Sequence, residues 1–138
     1  MLSTRLPNLN RVMIVGNLTG APELRSTSTG ISVSNFRIAA NRRFRDNSGE
    51  LREDVCYVGV VAWEKLAESC AAKLQKGSAV YVEGELRSRS LEAGDGKKRN
   101  VIEIKAHHIQ FLGKTGEPDE DADEFGDDEY GGNVEKYN

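Results

Sequence analysis

One segment of this chain changes period, and that change limits the possible folds more than any other feature. In EKLAESCAAKLQKG, residues 64–77, Leu66, Ala67, Cys70, Ala71 and Leu74 recur at helical spacing, and Gly77 follows as a stop. The apolar runs on either side read as strands. Val12 to Leu18 is rich in β-branched residues and ends among Gly16, Asn17 and Gly20. Ala21 to Gly30, APELRSTSTG, reads as a turn-rich link. Ile31 to Phe44 has the length of a long strand, and Asp46-Asn47-Ser48-Gly49 is a turn in which Gly49 can take positive φ. Leu51 to Trp63 returns as a third strand. Past the helix, Ala79 to Arg89 alternates, with Val80, Val82 and Leu86 on one face and Tyr81, Glu83, Glu85, Arg87 and Arg89 on the other. EAGDGKKR is a polar hairpin tip, and Val101 to Leu112 is the last strand.

Three strands, one helix and two strands are the order of an all-β, five-stranded OB-fold barrel with its helix between strands 3 and 4. An SH3-like barrel or a β-sandwich also uses short strands, but neither predicts a lone helix there. A chain of 138 residues is one ordinary domain with room for a tail. The expected division is an OB domain over residues 1–113, carrying a long hairpin between strands 4 and 5, and a tail over residues 114–138. That tail is acidic and poor in aliphatic residues. It cannot offset the entropy of ordering, so it is expected to be disordered.

Charge divides the chain at the same place. Residues 117–138 hold ten acidic side chains and one lysine, a net of -9. Removing them from the chain's 22 acidic and 19 basic residues leaves 12 and 18 in residues 1–116, a net of +6. A basic body suits a polyanion, and the tail then has a separate role. Cys56 and Cys70 form no CxxC pair and are expected to be reduced and at least partly buried. The opening MLSTRLPNLNRVMIVG has no apolar h-region and no membrane-spanning length. Both features point to a cytoplasmic protein.

The stretch NRRFRDNSGELREDVCYVGVVAW, residues 41–63, mixes arginines with aromatics around the DNSG turn. Period two puts Tyr57, Gly59, Val61 and Trp63 on one face of the third strand and Cys56, Val58, Val60 and Ala62 on the other. The smaller, wholly apolar set is the natural core, which leaves Tyr57 and Trp63 outside. Phe44 and Arg42 share a parity on the partner strand. Gly59 leaves a flat gap where a ring can lie. Aromatic faces stack on any base while arginines hold phosphates, so this stretch suits unpaired nucleic acid. Trp63, beside the helix start, is equally well placed to be core.

These residues carry a resemblance. Residues 9–113 resemble the bacterial single-stranded DNA-binding protein family through LNRVMIVGNLTGAPELR, VSNFRIAANRRF and VVAWEKLAESCAAKLQKGSAVYVEGELRSRS. The resemblance implies an OB-fold, a homotetramer, and a surface that wraps single-stranded DNA without sequence preference. It places Phe44, Tyr57, Trp63 and Leu91 at stacking positions. Tyr57 stands where tryptophan is usual, Trp63 where phenylalanine is usual, and Leu91 where a further tryptophan is common. Val58 and Gly59 replace a histidine and an arginine often found there, and Arg25-Ser26-Thr27-Ser28 lacks the common tyrosine and proline. The family's acidic tail usually ends in an apolar tip that recruits replication and repair proteins. This chain ends GGNVEKYN, which leaves Tyr137 as the candidate hook.

Candidate phosphate contacts are Arg11, Arg37, Arg42, Arg43, Arg45, Arg52, Lys76, Arg87, Arg89, Lys97, Lys98 and Arg99. Adjacent His107 and His108 point to opposite strand faces and cannot share a metal, and the sequence calls for no cofactor. No phosphate-binding P-loop motif and no nucleophile grouping appears, so a non-enzyme is expected. The leading expectation is a protein that coats single-stranded DNA in replication, recombination and repair. An OB-fold adaptor that binds protein and an RNA-binding module of translation are the alternatives.

Overall fold

A computed structural model describes residues 5–113 and 124–126 of the chain. In order these form β1 (Val12–Leu18), β2 (Glu23–Ser26), β3 (Ser32–Arg45), β4 (Leu51–Trp63), α1 (Glu64–Lys73), β5 (Ala79–Glu92), β6 (Lys98–Gly113) and β7 (Glu124–Gly126). Five strands close a ring. β1 pairs antiparallel with β5, β5 with β6, β6 parallel with β4, β4 antiparallel with β3, and β3 returns to β1. With α1 between the third and fourth ring strands, this is the expected OB-fold.

Inside the ring, Leu18, Phe36, Ile38, Val60, Ala62, Val80, Val82, Ile104, Ile109 and Phe111 form one core. Helix α1 adds Ala67 and Cys70 to this core, and Leu74 joins them from its C-cap, three of the helical-period residues of the sequence. Burial pushes the Cys70 thiol up to about 12, so it stays protonated and behaves as a small apolar side chain. Cys56 is exposed, against the expectation that both cysteines are at least partly buried. It sits where β4 has already left the barrel. The chain passes from β4 into α1 without a loop, and Glu64 takes φ 58 to make that corner.

Other expectations need correction. Residues 21–30 read as a link in sequence, but Glu23–Ser26 pairs with β3 as β2. All four of its residues are exposed, so it has no buried face and leaves no alternation in the sequence. Glu83, expected on an outer polar face, is 2 % exposed and accepts from Arg11 at 3.3 Å. The pairing of β5 with β6 shifts register between Glu83 and Gly84. A Cβ on Gly84 would run into the Lys105 carbonyl and Ala106 Cα, so only glycine admits β6 this closely. Leu86, expected beside Val80 and Val82, is exposed because it lies past the end of the barrel. Past Gly113 the sequence predicts no structure, yet Glu124–Gly126 pairs antiparallel with His108–Gln110 of β6 as β7. Residues 114–123 and 127–138, with Tyr137, lie outside the described residues.

Candidate nucleic-acid interface

Two hairpins run past the barrel as exposed arms. In the first, β3 and β4 stay paired from Val33 opposite Trp63 to Arg45 opposite Leu51. The turn that joins them is built on Asp46. Its Oδ1 accepts from Ser48 N at 2.9 Å, Ser48 Oγ at 2.6 Å and Glu50 N at 3.0 Å, and its Oδ2 accepts from Arg52 Nε at 2.8 Å. The Ser48 side-chain bond, then Arg52, holds the Asp46 carboxyl down at about 2. Gly49 supplies φ 84, and Arg45 Nη1 donates to its carbonyl at 3.0 Å. The tip is therefore a defined turn, with Arg52 held by Asp46 and, at 3.5 Å, by Glu50.

The register separates the sequence's candidates onto two faces. Phe44 faces outward with Arg42 and Arg52, on the side that continues the core parity. Arg42 lies over the Phe44 ring, 4.5 Å from its centroid, and 3.9 Å from Asp54. Tyr57 and Gly59 lie on the opposite face with Arg37, Arg43 and Arg45. Tyr57 is 57 % exposed and Trp63 37 % exposed, so Trp63 is not sealed in the core.

The second arm is the β5–β6 hairpin. Its register runs Arg87 opposite Glu103, Arg89 opposite Val101 and Leu91 opposite Arg99, while β4 places Gly59 beside Glu103. Arg37, Gly59, Glu103 and Arg87 thus form one row across four strands. Arg89, Leu91 and Arg99 continue the same face outward, which is also the Tyr57 face. Arg89 Nε donates to Glu103 Oε1 at 2.9 Å. Lys97 and Lys98 stand at the tip, where Asp95 Oδ1 accepts from Lys97 N at 3.0 Å. Between this face and the Thr19–Ala21 turn lies a cleft of about 340 Å³, bounded by Arg37, Gly59, Arg89 and Glu103.

Among the described residues, Arg37, Arg43, Arg87, Arg99, Lys97 and Lys98 have no carboxylate within ion-pair distance. These cations are free to meet an anion, Arg37 on the barrel wall and the others on the two arms. Arg11 is not with them, because it is paired with buried Glu83 beside β1. Lys76 sits in the α1–β5 turn, which is stitched to the end of β1 by the Leu18 N to Ser78 O and Gly77 N to Leu18 O bonds. His108 is buried and His107 half-buried, 3.8 Å from Glu85. The described residues hold no group of three or more side chains spaced for a metal. Sequence reasoning missed the carboxylate at Glu103 in the middle of this basic face. Its partner Arg89 was visible, but the parallel pairing that brings Glu103 beside Gly59 has no local signature.

The geometry agrees with what the chain is similar to. Residues 9–112 match the single-strand binding protein family. "Single-stranded DNA-binding protein 2" of Chlorobaculum tepidum is 57% identical over 120 residues, covering 86% of this chain and 81% of that one. The "Single-stranded DNA-binding protein" of Halalkalibacterium halodurans is 40% identical over 121 residues, covering 86% and 71%. Among solved structures, the Plasmodium falciparum SSB complex with ssDNA superposes with a TM-score of 0.69 at 25% identity, over 79% of this chain and 99% of that one. A deletion mutant of the single-stranded DNA binding protein from Thermus aquaticus gives a TM-score of 0.69 at 34% identity, over 79% and 53%. With its barrel, its basic aromatic arms and a family match that spans the whole ring, this chain belongs to the single-strand binding protein family.

Proposed function

We propose that this chain coats single-stranded DNA, without sequence preference as its general mode, by stacking bases on aromatic side chains and neutralising phosphates with arginine and lysine. One observation carries the reading. Exposed Tyr57 shares a single sheet face with Arg37, Arg43, Arg87 and Arg99, and exposed Trp63 lies on the same strand. Phe44 adds a ring on the other side of the first arm, where a strand passing around the arm meets it. The unit that binds is residues 1–113, and residues 114–138 serve separately. Such a protein is not an enzyme. Its mechanism is passive: each contact favours the unpaired strand, so hairpins melt and nucleases are kept off.

The same reading assigns the chain to replication, recombination and repair, in the cytoplasm beside the nucleoid, with partner proteins recruited by the acidic tail. No described helix is long and apolar enough to cross a membrane. Self-assembly as a homotetramer is supported by β1. Its pairing with β3 covers only Asn17 and Leu18, and Met13 and Val15 are exposed on the strand. An edge with apolar side chains favours association with another copy.

A filter-binding titration with poly-dT, poly-U and duplex DNA tests the function. Poly-dT should bind most tightly and duplex DNA least. Preference for duplex, or no nucleic-acid binding at all, would overturn it in favour of a protein-binding adaptor. Preference for poly-U would favour the RNA module. Sedimentation at micromolar concentration tests the tetramer, and a monomer would sink that part alone.

A further inference from the structure

The row Arg37–Gly59–Glu103–Arg87 is unusual for a phosphate track, because it has a hole and a carboxylate in the middle. A Cβ built on Gly59 would find only Glu103 Cβ within reach, at 3.8 Å. The strand floor is therefore open, and the cleft of about 340 Å³ stands above it. That volume is at the lower end of the range for small-ligand pockets, about 300–1,000 Å³. Its lining includes Asn35 and Arg37 of β3, Glu103 and Arg89 of the second arm, and Glu23. It lies between the sheet face and the loop after the first strand, where OB-folds take their ligands.

Glu103 sets the chemistry. Its side chain is only 13% exposed and is anchored by Arg89 Nε at 2.9 Å. A carboxylate has about four lone-pair positions, so both oxygens can still accept. A phosphate cannot hydrogen-bond to it, since both are acceptors with no proton to share. A neutral group with N–H donors can. We infer that this cleft is a nucleobase pocket that prefers guanine, with Glu103 accepting from the base and Arg37 donating to it.

The preference follows from the base edges. Guanine presents N1–H and the N2 amino group side by side, a match for the two oxygens of one carboxylate, and its O6 faces the donors of Arg37. Adenine and cytosine each offer one amino group, and adenine puts it where guanine has O6. Thymine offers a single N–H flanked by two carbonyl oxygens, which Glu103 repels. Unstacked bases are commonly read along this edge. Single-strand binding elsewhere on the arms stays tolerant of sequence, so the pocket imposes a bias at one nucleotide per protomer.

The inference rests on the proposed single-stranded DNA-binding role, and the test separates the two. Full-length protein is titrated with an all-dT oligonucleotide and with the same oligonucleotide carrying one central 7-deaza-dG. That analogue keeps the N1, N2 and O6 edge and does not form quadruplexes. A third oligonucleotide carries deoxyinosine, which lacks the N2 amino group. Expected affinity for the 7-deaza-dG strand is about five- to tenfold above all-dT, with deoxyinosine between them. Gly59→Leu fills the cleft without adding charge, and Glu103→Gln removes one acceptor. Each should erase the difference, read within each variant as the ratio of its affinities for the 7-deaza-dG and all-dT strands. Melting curves confirm that both variants remain folded. Equal affinity of the unaltered protein for all three strands would overturn the pocket alone. So would a guanine preference that survives both substitutions. Failure to bind any of the strands would overturn the DNA-binding role as well.

Discussion

The two ends of each long strand do different work. Along β5 the first six residues, Ala79 to Gly84, are buried, and Arg87 to Glu92 are exposed. β4 runs the other way, exposed from Leu51 to Tyr57 and buried from Val60 to Ala62. The buried ends make the ring, and the exposed ends make the arms that carry the unpaired arginines. Antiparallel pairing alone holds the arms, so their side chains answer to no core. Stability and binding are therefore separable within single strands, and substitutions at the two ends should move different observables.

The largest expected effect is at the ring. Gly84→Ala places a methyl group against the β6 backbone at the bulge. Neither strand can retreat without opening the barrel, so the cost should reach about 3 kcal/mol. Denaturant unfolding measures it, and a loss below about 0.5 kcal/mol would show that the ring tolerates a wider bulge than its register implies. Next in size is the arm. Replacing Arg37, Arg43, Arg87 and Arg99 together with Ala should leave the melting temperature nearly unchanged. Poly-dT affinity should collapse at low salt, and the slope of log affinity against log salt should flatten by about 0.7 for each phosphate no longer neutralised. Parallel slopes would remove these arginines from the phosphate track.

Stacking is the next contrast, and it divides the rings by position. Tyr57→Ala should weaken poly-dT binding by about 1–3 kcal/mol with little change in stability. Trp63 is the sole tryptophan, so its fluorescence reports the barrel end of β4, beside α1. Saturating poly-dT should quench it. Unchanged emission would assign Trp63 to the barrel and leave Tyr57 and Phe44 as the platform. Leu91→Trp should tighten binding if the second arm touches the strand.

The ring was legible in the sequence because burial leaves a period, and the helical interruption at residues 64–77 fixed its order. The arms were legible as composition only. Tyr57, Phe44 and the arginines were visible as a mixture, but their assignment to two faces depends on the register set by the Asp46 turn. Glu83 was misplaced because this end of β5 is buried on both faces: Tyr81 on the same face and the paired His108 are buried as well, and a polar row carries no apolar period to show it. β2 left no trace, since a strand exposed on both sides has no pattern. Arg11 and Arg37 look alike in sequence. Only the fold pairs one with Glu83 and leaves the other at the cleft.

A smaller effect comes from the charge contrast between body and tail. Residues 117–138 carry a net of -9 beside a body of +6, and tethering makes their competition with DNA intramolecular. Deleting them should tighten poly-dT binding at low salt by several-fold and change little near physiological ionic strength, where the Debye length is about 8 Å. An unchanged affinity at low salt would free the arms from any competition by the tail. The last ten residues, presented as a peptide to replication and repair proteins, test Tyr137 separately. Binding that disappears on Tyr137→Ala would make that ending a recruiting hook.

The smallest effect is expected at the corner where β4 leaves the barrel wall for α1. β4 gives way to α1 within one residue, and Glu64 makes the turn at φ 58. A side chain in that left-handed region costs about 1–2 kcal/mol, which glycine avoids. Glu64 also places a negative charge in the first helical turn, worth about 0.3–1 kcal/mol against the helix dipole. Glu64→Gly should therefore gain only about 0.5 kcal/mol, the strain outweighing the missing charge. For a domain of this size that is a rise in melting temperature of about 2 °C. Glu64→Asn is the control, since asparagine tolerates the same backbone without glycine's freedom. If both variants melt higher and bind poly-dT as before, the strain belongs to the ring and serves nothing on the arms. If both melt higher but lose affinity and Trp63 quenching together, the strained corner holds Trp63 in place for a base, and stability and binding are coupled at that one residue.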